Sequence, residues 1–229
     1  LNSPEALEMS GSPADRRLYT QELFEQYYSD RSPLQFFAEV TVNNIWVSFL
    51  TFAGAATGGI LTIVVLGVNG LFLGQAAAWM ISEGESARFW GFILPHGLLE
   101  LSAIVIAGAA ALRLGWTIVA PGDRTRADGL REEGGRTGAI IIGLMAMFFV
   151  AGVVEGFITG RGFPVGVRVG IGAVGWVAAI AYFVDRGRAA QAEGCTGRLG
   201  ETPLPPVGQE RSVEGTERSP VPVTDPPPP

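Results

Sequence analysis

The sequence predicts an all-α polytopic bundle of about five transmembrane helices. Three observations carry that reading. Apolar residues are gathered in blocks between residues 43 and 184, the flanks are polar, and few of the charged residues, 17% of the chain, fall inside the blocks. A hydrocarbon core of about 30 Å needs roughly 20 helical residues to cross it, and several blocks reach that length. Mean hydropathy is +0.31 even though both ends are polar.

The elements follow in order. Residues 1–42 are polar and net acidic and are expected to form extracytoplasmic or interfacial amphipathic helices. Ser12-Pro13-Ala14-Asp15 is a helix start, with Ser as cap, Pro in the first turn and an acid three residues on. Leu18, Leu23, Phe24, Tyr27 and Tyr28 fall on one side of the helix that follows. Ser32-Pro33 repeats the signal and opens a second helix, expected to lie in the membrane interface and feed the first span. The bundle is expected over residues 43–185. Its spans are read at 43–67, 68–82, 89–114, 137–159 and 163–184, with 68–82 a short span in preference to a re-entrant segment. Pro95 should kink the third span or mark its true start. Residues 186–229 read as a disordered, Pro-rich tail that cannot supply a core.

Charge sets the expected orientation. All 16 basic residues are arginines. Loop 115–136 carries Arg124, Arg126, Arg131 and Arg136, and Arg186, Arg188 and Arg198 follow the last span. The side richer in arginine is expected to be cytoplasmic. That makes it a multi-pass protein of the cell membrane with its C-terminus inside and residues 1–42 outside.

Composition also narrows the function. A net charge of −6 without a basic face argues against nucleic-acid binding. One cysteine, Cys195, allows neither an internal disulfide nor a cysteine metal centre. No cofactor is expected. The expected partners are the lipid bilayer and other membrane or envelope proteins.

Candidate functional residues lie inside the spans. His96 and Glu100 are four apart and share one helix face, which Ala103, Ala107 and Ala111 continue. Small residues let a neighbouring helix come close, so this face should point inward. Ionisable groups in hydrocarbon are costly and mark functional sites. A metal half-site, a proton relay and a ligand contact all fit this pair, as does a purely structural pair that holds the packing. His96 is the sole histidine, which excludes a His-x-x-x-His zinc centre and leaves a carboxylate-rich site using Glu155 open. Glu155 is expected to join His96 and Glu100 in one polar cluster. Asn44 and Asn69 are read as span-end residues that cap or crosslink. Gly54-x-x-x-Gly58, Gly152-x-x-x-Gly156 and Gly166-x-x-x-Gly170 are read as close helix contacts. Ser102 has no second histidine to activate it, so a hydrolase is the least favoured reading.

These segments together resemble a known family. NNIWVSFLTFAGAATGGI, NGLFLG, ILPHGLLELSAIVIAGAAALRLGW and VEGFIT occur in the order seen in the stage II sporulation protein M (SpoIIM) family, and the likeness covers about residues 20–185. The arrangement is most similar to actinobacterial members, which implies a further span before the non-Met start at Leu1. His96, Glu100 and Glu155 match motif positions to which the family assigns no catalytic role. The resemblance implies a non-enzymatic membrane scaffold or assembly factor for a peptidoglycan-remodelling or related envelope complex. A permease-like subunit with a polar intramembrane site and an intramembrane hydrolase are the alternatives.

The odd number of spans and the arginine bias generate one prediction. Cys195 and a cysteine introduced as Ser12→Cys should lie on opposite sides of the membrane. An impermeant thiol reagent applied to whole cells should therefore label only the introduced residue, and labelling of both would contradict the topology.

Overall fold

The computed structural model describes residues 11–197. Among them the chain is helical with no strand. Helix α1 (Pro13–Leu18) runs through a π turn (Tyr19–Leu23) into α2 (Phe24–Ser29). Then come α3 (Pro33–Ala53) with a 3-10 turn (Gly54–Thr57), α4 (Ile60–Ser82) and α5 (Ser86–Val119). Helix α6 (Arg126–Val154) ends in a second π turn (Glu155–Thr159), and α7 (Val165–Ala192) follows. Five segments are long and apolar enough to cross a membrane: Pro33–Thr57, Ile60–Ser82, Ser86–Val119, Arg126–Thr159 and Val165–Ala192. The fold class and the number of spans match the sequence reading.

The boundaries differ from it: α6 takes in 126–136 of the expected loop, α7 continues through 186–192 of the expected disordered tail, whose part from 198 on lies outside the described residues, and the first two spans change most. The helix opened by Ser32-Pro33 does not stop in an interface; it continues without a break as the first span. The chain reverses at Gly58 and Gly59, whose φ angles are +68° and +96°, and not near Gly67. A left-handed backbone is cheap only for glycine, so this pair makes a tight turn inside an uninterrupted apolar run. Residues 60–82 then form a full-length span, and the short or re-entrant segment at 68–82 disappears. Asn44 and Asn69 consequently sit within α3 and α4 and not at span ends. The predicted helix start at Ser12 is present as a capping box, with Asp15 reaching back to the Ser12 amide at 3.1 Å.

Helix α5 is central and touches α3, α4, α6 and α7. Its Ala103, Ala107 and Ala111 are buried against Phe52 of α3 and Leu144, Met147, Phe148 and Ala151 of α6. Helices α4 and α7 are peripheral: 11% of their apolar windows is buried, against 39% for α5 and α6. Outward apolar surface of that kind suits lipid, which is as apolar as leucine. Pro95 neither starts nor breaks α5, which runs through it.

Glycine sets the closest approaches, though not at every motif the sequence offered. Gly152 and Gly156 admit Thr41, Phe37 and the backbone of Pro33 from α3, as expected of a close helix contact. Gly166 and Gly170 face open space, so that motif makes no contact here. Gly54 and Gly58 belong to the α3–α4 turn and do not share one helix face, but both are close contacts, Gly54 on the Thr62 backbone of α4 and Gly58 on Val119 of α5. The close face of α7 is instead Gly172, which lies directly on the Pro95 backbone.

Polar ties fasten the two ends. At one end Arg113 grips Glu133 through two bonds, 2.8 and 3.2 Å, and Arg136 adds a third at 2.8 Å. At the other end α1 and α2 fold onto the bundle. Phe24 and Tyr28 pack with Phe36, Met80, Phe89 and Phe92, and Arg88 holds Glu25 at 2.8 Å.

The two glycines of α7 give a paired test. Gly172→Ala should lower the thermal stability of the detergent-purified protein by about 1–3 kcal/mol, because the added methyl meets backbone that cannot yield. Gly170→Ala should be neutral or stabilise by up to about 1 kcal/mol, since alanine is the better helix former. Equal melting temperatures for the two variants would show that α7 does not dock through Gly172.

Candidate functional site

The inward face of α5 brings His96 and Glu100 between α3 and α6. The Nε2 atom of His96 lies 3.5 Å from Oε1 of Glu155. One ligand atom from each of His96, Glu100 and Glu155 falls within 4.8 Å of the others, so the three residues form one cluster. Asn44 of α3 sets its side chain against the Glu100 carboxyl. Asn69 stands apart from this group. Its Nδ2 donates to the Val65 carbonyl at 2.8 Å on its own helix, and it lines a neighbouring cleft.

The second π turn explains how Glu155 reaches its partners. Widening the last turn of α6 adds a residue to the ring and turns Glu155 inward, where it is 4% exposed. Such π turns occur frequently at functional sites. The carbonyls released by this turn are held by two arginines: Arg161 Nε donates to Gly156 O at 3.1 Å, and Arg168 donates to Thr159 O.

Around the cluster, α3 presents a polar stripe. Thr41, Asn44, Ser48 and Thr51 are three or four residues apart, share one face and are all buried. Several polar atoms here have no hydrogen-bond partner: Thr41 Oγ1, Ser48 Oγ, His96 Nδ1 and Glu155 Oε2. Each such atom costs about 1–3 kcal/mol when buried without a partner. Two of these atoms, His96 Nδ1 and Glu155 Oε2, belong to the cluster itself.

A cleft of about 350 Å³ between α4 and α5 leads to this centre. Leu66, Leu73 and Ile104 make its walls apolar, and Asn69, His96 and Glu100 are its polar groups. Glu100 is half-buried because it borders this space, whereas His96 and Glu155 are fully buried. Above the centre, Tyr28 places its ring 6.4 Å from His96 and 4.9 Å from Phe92. Burial, and then the nearby Glu155 carboxyl, push the Tyr28 phenol well above its ordinary value and keep it neutral.

Chemically, an imidazole and two carboxyl groups can accept a proton or hold a cation. Two carboxylates this close repel each other unless positive charge sits between them. Three ligand atoms would leave a metal ion with open positions. Ser102 belongs to a different arrangement: its Oγ donates to the Leu98 carbonyl at 2.7 Å and accepts from Trp176 Nε1 at 3.0 Å.

Sequence reasoning did not single out Tyr28, Thr41 or Arg168. Arg168 left a visible signal, a charge inside the last apolar block. Thr41 was legible once α3 was extended back to Pro33, since it then shares the face of Asn44. In the sequence Tyr28 is one member of an amphipathic apolar face.

Fold and site together define a polytopic α-helical membrane protein with a polar centre enclosed in its bundle. Residues 3–160 match the stage II sporulation protein M (SpoIIM) family, and the chain belongs to it. It is also similar to an uncharacterized protein of Methanocaldococcus jannaschii, 32% identical over 83 residues, which are 36% of this chain and 47% of that protein. The chain thus aligns with about half the length of that relative. No solved structure matches it.

The unpartnered atoms generate a stability prediction. Glu155→Gln removes one of two crowded carboxyl groups and keeps its shape. It should raise the detergent melting temperature of the ligand-free protein, by an amount equivalent to about 1–3 kcal/mol. A fall of similar size would show that the carboxylate holds the bundle together, the structural role left open by the sequence.

Proposed function

We propose that the protein is a permease-like membrane subunit whose His96–Glu100–Glu155 centre binds a proton or a small cation. One observation carries this reading: an imidazole and two carboxyl groups, with His96 Nδ1 and Glu155 Oε2 buried and unpartnered, cluster at the inner end of a cleft of about 350 Å³. A group that only crosslinked helices would be expected to satisfy its own hydrogen bonds. Asn69 and Glu100 supply the polar contacts along the cleft, and His96 and Glu155 lie behind them. Tyr28 closes the centre from the end where α1 and α2 fold over the bundle.

A second reading, a non-enzymatic scaffold or assembly subunit of a cell-envelope complex, is supported by family membership. In that reading the outward faces of α4 and α7 meet other membrane proteins as well as lipid. The hydrolase reading gains no support from the geometry, since Ser102 is bonded to Leu98 and Trp176. In both surviving readings the arginine-rich 115–136 segment and the C-terminus face the cytoplasm, and α1 and α2 lie outside.

Reconstituted vesicles separate the two. With a pH-sensitive dye inside and an imposed potassium diffusion potential, wild-type protein should pass protons at least about tenfold faster than Glu100→Gln, a difference of about 1.4 kcal/mol in barrier. Equal flux through both proteins, with the same membrane proteins co-purifying with each from native membranes, would favour the assembly reading and remove the permease one.

A further inference from the structure

A second polar feature lies beyond the π turn, separate from the His96 cluster and its cleft. Arg168 sits in the first turn of α7 and is 7% exposed. Its guanidinium stacks 4.4 Å from the Phe92 ring centre and donates to the Thr159 carbonyl. Its Nε meets no acceptor. Among the described residues Arg168 takes part in no ion pair. A guanidinium cannot shed its proton, and a buried charge without a counter-ion is strongly unfavourable.

The surroundings of Arg168 are built to receive an anion. It borders a cavity of about 290 Å³ lined also by Tyr28, Ser29, Gly160, Gly162 and Phe163. The carboxylate on that wall, Glu25, is paired with Arg88 at 2.8 Å and also attracts Arg168, so one carboxylate serves two guanidinium groups and the local balance is one net positive charge. Helix α7 starts here without a side-chain cap. Its first amide groups add positive potential at the same place. Beside the cavity, Phe163 and Val165 are 44% and 48% exposed, and the apolar outer face of α7 continues from them through Val167 and Val174.

We propose that Arg168, with Ser29 and the opening turn of α7, forms a binding site for a phosphate group. Arginine suits phosphate because its planar fork matches two oxygens at once. The phosphate can belong to a phospholipid whose chains lie along α7 or to a soluble compound. The site shares Tyr28 with the surroundings of the His96 centre but does not rest on that centre's proposed role.

The test uses the full chain, purified in detergent and stripped of lipid. Melting temperature and native mass spectra are recorded with dioctanoyl phosphatidylglycerol, with dioctanoylglycerol as the neutral control, and with inorganic phosphate against chloride at matched ionic strength. Two variants accompany wild type. Arg168→Gln removes the charge while keeping a donor for Thr159. Ser29→Asp places a carboxylate on the cavity wall at an exposed position whose hydroxyl bonds only to the Glu25 carbonyl. The expected result is a higher melting temperature and a retained adduct for wild type, with affinity at least about tenfold lower in both variants, as loss of a charge-assisted bond implies. A response to phosphatidylglycerol alone assigns the site to a lipid headgroup, and a response to inorganic phosphate as well assigns it to soluble phosphate too. Should Arg168→Gln fail to fold, Ser29→Asp decides alone. Absence of any response in wild type, or an undiminished response in Ser29→Asp, overturns the proposal.

Discussion

Close approach to α5 is the constraint on which the rest of the molecule depends. One helix can serve four neighbours only if its inward side chains are small. Ala103, Ala107, Ala111 and Gly115 recur every fourth residue and provide that surface. At Gly115 the contact is backbone against backbone: an added methyl would sit 2.8 Å from the Gly59 amide nitrogen. Where lipid replaces water, packing and interhelical bonds hold helices together, because burying apolar surface gains little. The bundle therefore concentrates its cohesion along α5 and leaves the outer faces of α4 and α7 to the bilayer.

The same helix face that packs through alanine carries His96 and Glu100 one to two turns earlier. This junction of tight packing and polar groups gives the centre its character. Alanine and glycine bring α3 and α6 close enough for Asn44 and Glu155 to reach the pair. The polar groups then remain only partly satisfied, against the general rule for buried atoms. Sites that break local rules of stability in this way are the expected places for function. The π turn at Glu155 belongs to the same pattern, since it departs from regular helix where the carboxyl must turn inward.

The two ends of the bundle are built differently. At the 120–125 end the connection is polar, and Arg113, Glu133 and Arg136 form an ionic clamp between α5 and α6. At the opposite end α1 and α2 cover the bundle with aromatic rings, among them Phe24 and Tyr28. Arginines there serve carbonyls as well as carboxylates: Arg161 binds Gly156 O and Arg31 O, and Arg88 binds Thr20 O as well as Glu25. The end nearer the polar centre is thus also the end where a covering layer shields it.

Hydropathy by itself determined that this chain is a five-span helical bundle, since backbone groups in hydrocarbon must bond within their own helix and roughly 20 apolar residues are needed to cross. Spacing by itself determined that His96 and Glu100 share a face and that alanines continue it. Three things were decided only in the tertiary structure. The reversal at Gly58-Gly59 was hidden because glycine, alanine and threonine do not interrupt an apolar run, and the left-handed φ angles appear only in the folded backbone. The sequence predicts Glu155 beside His96, 59 residues away, but not the π turn that carries it there, which no local pattern marks. Gly166 and Gly170 carried a packing motif yet face open space, while Gly172 makes the contact, because the rotation of α7 about its axis is set by α5 and not by its own sequence.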